Sequence, residues 1–292
     1  MRVLVTGGAG FIGTNLVKKL LDNNDEVISV DNYSTGFEKN HQKGCTYHKI
    51  DFANTDLKYL SWINPDIVYH IGALARIQPS FERPTDYFNT NVLGTQYIMD
   101  YVREYKIPLI YAGSSSVHGD KHSNPYTFTK WLGEEVVTMY NRIYNVKSVI
   151  CRFYNVYGKY QVTEGDYCNV LGIFQRQYKN GQPLTITGDG EQRRDFTYVG
   201  DIVDGLVRCG WMLLSNRDHK VNGEIFELGS GYNYSINEIA DAFGDCEKEY
   251  TDAMEGEMRE TLNTDTKAAD VLGWNPTGNI IEYIKKELVN EV

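Results

Sequence analysis

The feature that most constrains this chain is near its start. In "RVLVTGGAGFIGTNLVKKLLDNN" a short apolar run with no helical period leads into G-x-x-G-x-x-G, formed by Gly7, Gly10 and Gly13. A segment with helical spacing follows, with Ile12, Leu16 and Leu20 on one face. Such a turn needs a tight exit from the strand, a backbone that can approach a pyrophosphate, and a helix that packs on the strand with no Cβ between them. The helix start then offers free N–H groups and a positive dipole end to phosphate. By themselves the glycines also fit a turn without a ligand. Asp31 changes the balance. It closes the next strand, "EVISVD", eighteen residues after Gly13, where a carboxylate can accept both hydroxyls of an adenosine ribose and repel a 2′-phosphate. No Arg follows in "DNYSTG", so the expected cofactor is NAD and not NADP.

Further strands are expected at "CTYHKID", "DIVYHIG", "PLIYAGSS" and "KSVICRFYNV", with long helices over "TDYFNTNVLGTQYIMDYVREY" and "PYTFTKWLGEEVVTMYNRIY". Strands alternating with helices imply an α/β chain with a Rossmann-type, doubly wound parallel sheet. After about Tyr157 the elements shorten and turns such as "KNGQP" appear. We therefore expect an NAD-binding domain over residues 1–160 and a smaller mixed α/β C-terminal substrate domain over 161–292. The chain is expected to return to the first domain around 195–228.

The net charge of −10 argues against nucleic acid, whose binding rests on basic neutralisation of phosphates. No apolar run reaches the length of a membrane span. The five cysteines (Cys45, Cys151, Cys168, Cys209 and Cys246) are odd in number and widely spaced, which suits reduced thiols in a cytoplasmic protein. "MRVLVTGG" is already strand and turn, so no signal peptide is expected.

The stretch "GSSSVHGDKHSNPYTFTK" holds the reactive-looking side chains. Among 22 tyrosines only Tyr126 has a lysine, Lys130, four residues on. On a helix that spacing puts both on one face. A phenol titrates near ~10; a nearby ammonium favours the phenolate and moves it toward use as a base. A serine at the end of the preceding strand can bridge the sugar hydroxyl and the phenol. His118 and His122, with Asp120, lie in a Gly/Asn/Pro-rich turn without a further evident ligand, so no metal is expected.

The series "VTGGAGFIG", "VDNYSTG", "VYHIGALA", "TNVLGT", "SSSVHG", "PYTFTK", "RFYNVYG", "GDGEQRRDFTYVGDI" and "EGEMRETLNTDTKAADVLGW" resembles the extended short-chain dehydrogenase/reductase family, NAD-dependent epimerase/dehydratase type. Within it the chain is most similar to the UDP-glucose 4-epimerases. The resemblance implies catalysis by Ser114, Tyr126 and Lys130. It implies cofactor contacts from Phe11 and Ile12 beside the glycines, from Asn32, Ser34, Thr35 and Gly36 after Asp31, and from Asp51 and Phe52 at the adenine. Ile71, Gly72, Ala73 and Leu74 would line the cofactor cleft, with Thr90 near it and Tyr154 by the nicotinamide. For a UDP-sugar it implies Asn155, Asn169, Val170, Thr185 and Arg194, the last clamping the diphosphate.

The related 4,6-dehydratases carry Asp-Glu just after the catalytic hydroxyl residue, and decarboxylases carry Glu at the second of these positions. Ser115 and Ser116 stand there, and neither can act as a carboxylic acid. Epimerisation at C4 through a 4-ketose is what remains. A net oxidoreductase, or a catalytically weak NAD-binding sensor, are the alternatives. Thr261 aligns with a position where a Tyr would exclude a 2-acetamido group, so UDP-GlcNAc and UDP-GalNAc are expected beside UDP-Glc and UDP-Gal. Three departures stand out. Met254 replaces a second arginine clamp, unless Arg259 takes its place. His118 stands where Tyr is usual. Only seven residues separate His118 from Tyr126, implying a more open cleft or a smaller substrate. The resemblance also implies a homodimer through the helices around Thr90–Tyr105 and Tyr126–Tyr144.

Overall fold

The computed structural model describes residues 1–55, 57–215 and 217–289; the last three residues of the expected 161–292 region lie outside these. The chain opens with β1 (Arg2–Thr6), α1 (Phe11–Asp22), β2 (Glu26–Asp31), β3 (Thr46–Lys49) and β4 (Ile67–His70). Then come α2 (Gln78–Glu82), α3 (Pro84–Tyr87), α4 (Gly94–Tyr105), β5 (Leu109–Ser114), α5 (Pro125–Tyr144) and β6 (Ser148–Phe153). The second half contributes β7 (Asn155–Tyr157), α6 (Val170–Lys179), β8 (Leu184–Thr187), β9 (Arg193–Tyr198), α7 (Val199–Leu214), β10 (Ile225–Leu228), β11 (Asn233–Ser235), α8 (Ile236–Asp241), β12 (Lys248–Thr251), α9 (Lys267–Leu272) and α10 (Ile280–Tyr283).

Seven strands form one parallel sheet in the order β10-β6-β5-β4-β1-β2-β3. The chain winds outward from β1 in one direction through β2 and β3, and in the other through β4, β5, β6 and β10. That reversal opens a crevice above the C-terminal ends of β1 and β4, the usual ligand position in such sheets. The central strands β1, β4 and β5 are almost wholly buried runs, as expected for strands covered on both faces. On one face Leu16, Val17 and Leu20 of α1 pack with Ile202, Leu206 and Leu213 of α7 and with Ala268, Leu272 and Trp274. On the other, Ile98, Met99 and Val102 of α4 pack with Val137 and Tyr140 of α5.

A third core, around Phe174, Ile186, Phe196, Ile239 and Phe243, supports a three-stranded sheet (β11-β9-β7) and the two-stranded β8–β12. The α/β expectation is met. Two details differ from it. The expected sixth strand is divided after Phe153: β6 stays in the main sheet, while β7 pairs with β9 in the small one. The expected helix over 85–105 is α3 and α4 joined by a π-helical segment, Phe88–Leu93. No helix among the described residues is long and apolar enough to cross a membrane.

Candidate active site

The glycine turn sits at the crevice. Gly7 has φ +71°, and a Cβ there would lie 2.7 Å from Gly72 Cα. A Cβ on Gly13 would come within 2.0 Å of Gly7 O, so α1 packs this closely only because Gly13 has none. Asp31 ends β2 beside the glycine turn. Its Oδ2 accepts the Ala9 N–H (2.9 Å) and its Oδ1 accepts the Tyr33 N–H (2.8 Å). Each oxygen keeps a lone pair for a ribose hydroxyl. Burial raises the Asp31 pKa, and these two N–H groups pull against it.

Gly36 packs against Asp31 and Ala9, with a would-be Cβ 3.0 Å from Asp31 Oδ2. Asn32 caps the Ser34 N–H (2.9 Å), and Thr35 is half-buried in the same loop. Phe11 and Ile12, both half-buried, form the first residues of α1. Across the crevice the Asp51 carboxylate accepts the Ala53 N–H (3.0 Å), and Phe52 is buried edge-on to His70 (5.1 Å). A Cβ on Gly72 would strike the Phe52 ring. Ile71, Gly72, Ala73 and Leu74 form the floor, held by two contacts. Gly72 N–H donates to Thr6 Oγ1 (3.1 Å), and Leu74 is bonded through both N–H and C=O to the Asn91 amide (2.9 and 3.0 Å). Asn91 is 1% exposed and was not among the expected residues. Thr90, its neighbour, is half-buried on the π-helical segment. The signal for Asn91 was present, since it is the Asn of "TNVLGT". A narrow glycine cradle, a ribose-facing carboxylate and a buried aromatic wall fit a dinucleotide.

Ser114 ends β5, and α5 begins at Pro125, capped by Asn124 Oδ1 on the Thr127 N–H (2.8 Å). These two ends bring Ser114 Oγ and Tyr126 OH to 3.1 Å. Ser116 Oγ lies 3.0 Å from Ser114 Oγ, and the Ser116 N–H donates to Ser114 Oγ (3.2 Å). Lys130, 4% exposed, donates through Nζ to Ala112 O (2.5 Å) and to Tyr111 OH (3.3 Å). Burial drops its pKa to about 8, with Glu134 opposing the shift. Burial raises the Tyr126 pKa; the hydrogen bond to Ser114 and the charge of Arg76 lower it. Lys130 is committed to Ala112 and lies over the Tyr111 ring (4.6 Å).

An ion network that the sequence did not suggest supports Ser114. Its N–H donates to Glu134 Oε1 (3.3 Å), made possible by Gly113, where a Cβ would sit 2.7 Å from that oxygen. Arg152 bridges Glu134 (2.7 Å) and Glu227 (3.0 Å), and Glu227 also meets His118 Nε2 (3.0 Å). Burial pushes the Glu227 carboxyl up, and its hydrogen bonds with His118 and Arg152 hold its pKa down overall. His118 is thus an anchor for the turn after Ser114, and its ring stacks loosely on Tyr154 (6.5 Å).

Of the residues expected at the sugar nucleotide, Asn155 and Arg194 lie on β7 and β9 and Asn169 bonds to β7, whereas Thr185 lies on β8 of the separate two-stranded sheet. Asn155 Nδ2 donates to Asp195 O (3.1 Å) and to Thr261 Oγ1 (3.2 Å). Asn169 caps α6 through Oδ1 on the Gly172 N–H (2.7 Å), with Val170 next to it. Thr185 pairs with Gln177 Nε2 (2.7 Å). Arg194 pairs with Glu257 (3.1 Å), not with Asp195. Arg259 is exposed and forks onto Asp189 (2.8 and 2.9 Å). Burial lowers the Arg194 pKa, and Glu257 opposes this.

Residues 3–229 match the family described as NAD dependent epimerase/dehydratase. A relative from Methanocaldococcus jannaschii is 35% identical, covering 97% of this chain and 96% of its own. The fold is similar to that of a UDP-glucose 4-epimerase with UDP-glucose from Thermotoga maritima, with TM-score 0.91, 28% identity, and 99% and 98% of the two chains covered. It is also similar to a UDP-glucuronic acid 4-epimerase from Bacillus cereus in complex with UDP-glucuronic acid and NAD, with TM-score 0.89, 27% identity, and 100% and 99% covered. The chain belongs to the NAD dependent epimerase/dehydratase family and is an NAD-dependent enzyme that modifies nucleotide sugars.

Proposed function

We propose that the protein interconverts the C4 epimers of a UDP-hexose. The observation that carries this reading is the 3.1 Å contact of Ser114 Oγ with Tyr126 OH at the crevice, beside Ser115 and Ser116 where elimination or decarboxylation would call for a carboxylic acid. NAD, when bound, supplies a reversible hydride acceptor. Tyr126, as phenolate, takes the proton from the C4 hydroxyl, and Ser114 Oγ positions that hydroxyl and passes the proton. Glu134 fixes the Ser114 backbone, so the hydroxyl cannot drift from the phenol. Lys130 fixes the end of β5 from below through Ala112 O. The 4-ketose would turn over about its diphosphate link and Tyr126 would return the proton to O4, with the bound cofactor supplying hydride to the opposite face.

Arg194, Asn155, Asn169 and Val170 hold the UDP part in this reading, with Thr185 beside them and Arg259 as an outer cation. Thr261 is small, and its hydroxyl is turned to Asn155 and the Asp195 N–H, which leaves room for a 2-acetamido group. Asn32, Ser34, Thr35, Thr90 and Tyr154 complete the cofactor contacts. The proposed assembly is a homodimer through α4 and α5, supported by the exposed Tyr97, Tyr105, Met139 and Ile143; light scattering at twice 33.4 kDa checks it.

The decisive assay is NMR of UDP-galactose, UDP-N-acetylgalactosamine and a dTDP-sugar with purified protein and no added cofactor. Epimerisation of a UDP-sugar without net NADH is expected, and Tyr126→Phe is expected to keep NAD and lose at least 100-fold in kcat. Stoichiometric NADH release, or inertness of these sugars and of UDP-glucuronate alike, refutes the reading.

A further inference from the structure

Arg76 is the residue of the crevice that neither the motifs nor the mechanism above accounts for. Its backbone has φ +97°, a conformation that side-chain-bearing residues rarely adopt. The strain is held in place. Tyr87, fully buried, directs its hydroxyl at Ala75 O (3.1 Å) and Arg76 O (2.9 Å). The Tyr87 ring packs edge-on against the Tyr126 ring, with centroids 6.4 Å apart. From the far side, Arg76 Nε donates to Tyr167 O (3.0 Å). Backbone strain kept by such over-determination clusters where a side chain must be aimed.

The guanidinium so aimed has no counter-ion. Arg152, Arg194 and Arg259 all pair with carboxylates, whereas Arg76 pairs with none among the described residues. The carboxylate whose charge it feels, Glu257, is held by Arg194. An unpaired, half-buried arginine in a chain of net charge −10 leaves its fork of N–H donors for an anionic oxygen group. The site of that group follows from sugar geometry. Tyr126 works at O4. The exocyclic C6 is attached to C5, next to C4, so a substituent there lies at the Tyr126 end of the ring. The diphosphate leaves from C1, at the other end. The turn after Ser114 offers hydroxyls, Ser115 and Ser116, and no acid that would repel a C6 carboxylate.

We propose that Arg76 is a specificity-determining residue that binds the C6 carboxylate of a UDP-hexuronate, and that the site prefers this acidic sugar to neutral hexoses. The proposal rests on the epimerase reading above. The C4–H bond breaks and re-forms on the other face, the O4 proton goes to Tyr126 and returns, and the carboxylate is unchanged.

The test compares UDP-glucuronate with UDP-glucose by NMR for the wild type, Arg76→Gln and Arg76→Lys. In the wild type kcat/KM is expected to be at least tenfold higher for UDP-glucuronate. Arg76→Gln should cut the ratio of the two kcat/KM values at least tenfold, chiefly through KM, and Arg76→Lys should restore part of it. A second measurement does not depend on the folding of these variants: calorimetric binding of both sugars to Tyr126→Phe, with UDP-glucuronate expected to bind tighter. Equal losses on both sugars in Arg76→Gln, or UDP-glucose binding as tightly to Tyr126→Phe, overturns the proposal while the epimerase reading stands. If neither UDP-sugar is epimerised by the wild type, the epimerase reading falls, and this inference with it.

Discussion

Lys130 is a charge that the fold holds at a cost, and the size of that cost can be worked out. Its pKa falls from 10.5 to about 8 because the ammonium is buried, with only Ala112 O and Tyr111 OH to solvate it. A fall of about 2.5 units corresponds to about 3 kcal/mol of destabilisation while both folded and unfolded chains carry the charge. The sign follows from proton binding. The folded state holds the proton less tightly, so the full penalty applies below about pH 8. Stability then rises between about 8 and 10.5, where the unfolded chain is still protonated. Lys130→Met removes the charge and keeps the stem, but leaves Ala112 O without its donor, a loss of about 1–3 kcal/mol. Cofactor-stripped Lys130→Met is therefore expected to be more stable than the wild type by about 0–2 kcal/mol at pH 7, and catalytically inert. Urea unfolding at pH 7, 8, 9 and 9.5 gives the check. The gap between variant and wild type should move by about 2 kcal/mol in favour of the wild type over that range. A gap that stays constant with pH would show that Lys130 is not a buried cation, and the reasoning fails.

Asp195 is fully buried, and its two oxygens accept from Ser230 N–H (2.7 Å), Ser230 Oγ (2.7 Å), Gly231 N–H (3.0 Å) and Asn263 N–H (3.0 Å). Asp195→Asn turns one acceptor into a donor facing a donor. A loss of about 2–4 kcal/mol is expected, or about 3–7 °C in calorimetric Tm, together with a higher KM; a shift under about 2 °C refutes the hub role. Glu257→Ala frees Arg194 from a partly buried ion pair. The KM for the UDP-sugar is expected to fall about fivefold with kcat little changed; a rise in KM would show that Glu257 helps substrate instead of competing with it.

The legible part of this protein is the part written within a few residues. Gly7, Gly10 and Gly13 could be read because the turn, the phosphate approach and the helix packing each need the missing Cβ at a fixed offset. Ser114, Tyr126 and Lys130 could be read because a strand end and one helical turn set their spacing. What could not be read comes from strands adjacent only in the folded sheet. The network joining Ser114 to His118 uses Glu134 from α5, Arg152 from β6 and Glu227 from β10, and parallel pairing of β5, β6 and β10 is what stacks them. Arg76 was missed because a positive φ on a residue other than glycine leaves no mark in composition or periodicity. Asn169 shows a third limit: the residue was singled out for the substrate, but its amide caps α6 and bonds Val156 O (3.0 Å).

The short segment between His118 and Tyr126 implied an open cleft, and the structure shows what fills the space. The stretch Glu255–Met258 lies against it. A Cβ on Gly119 would be 3.0 Å from Met258 Sδ, Asn124 Nδ2 donates to Gly256 O (3.3 Å), and Gln78 Nε2 donates to Glu255 O (3.0 Å). Gly256, with φ +76°, makes the bend that allows this approach. Met254, where a second clamp would stand, is nearly half exposed, while Glu257 two residues past the covering stretch's start reaches Arg194. Loop length, the lost arginine and the engaged Arg194 are therefore linked through one segment. A longer loop would occupy the space that Met258 takes, and the backbone that carries Glu257 to Arg194 would then keep only the Asn124 bond to Gly256 O on this side. The wall of the cleft and the carboxylate that pairs with Arg194 are built from one segment, so any ligand that engages Arg194 acts directly on the segment that covers it.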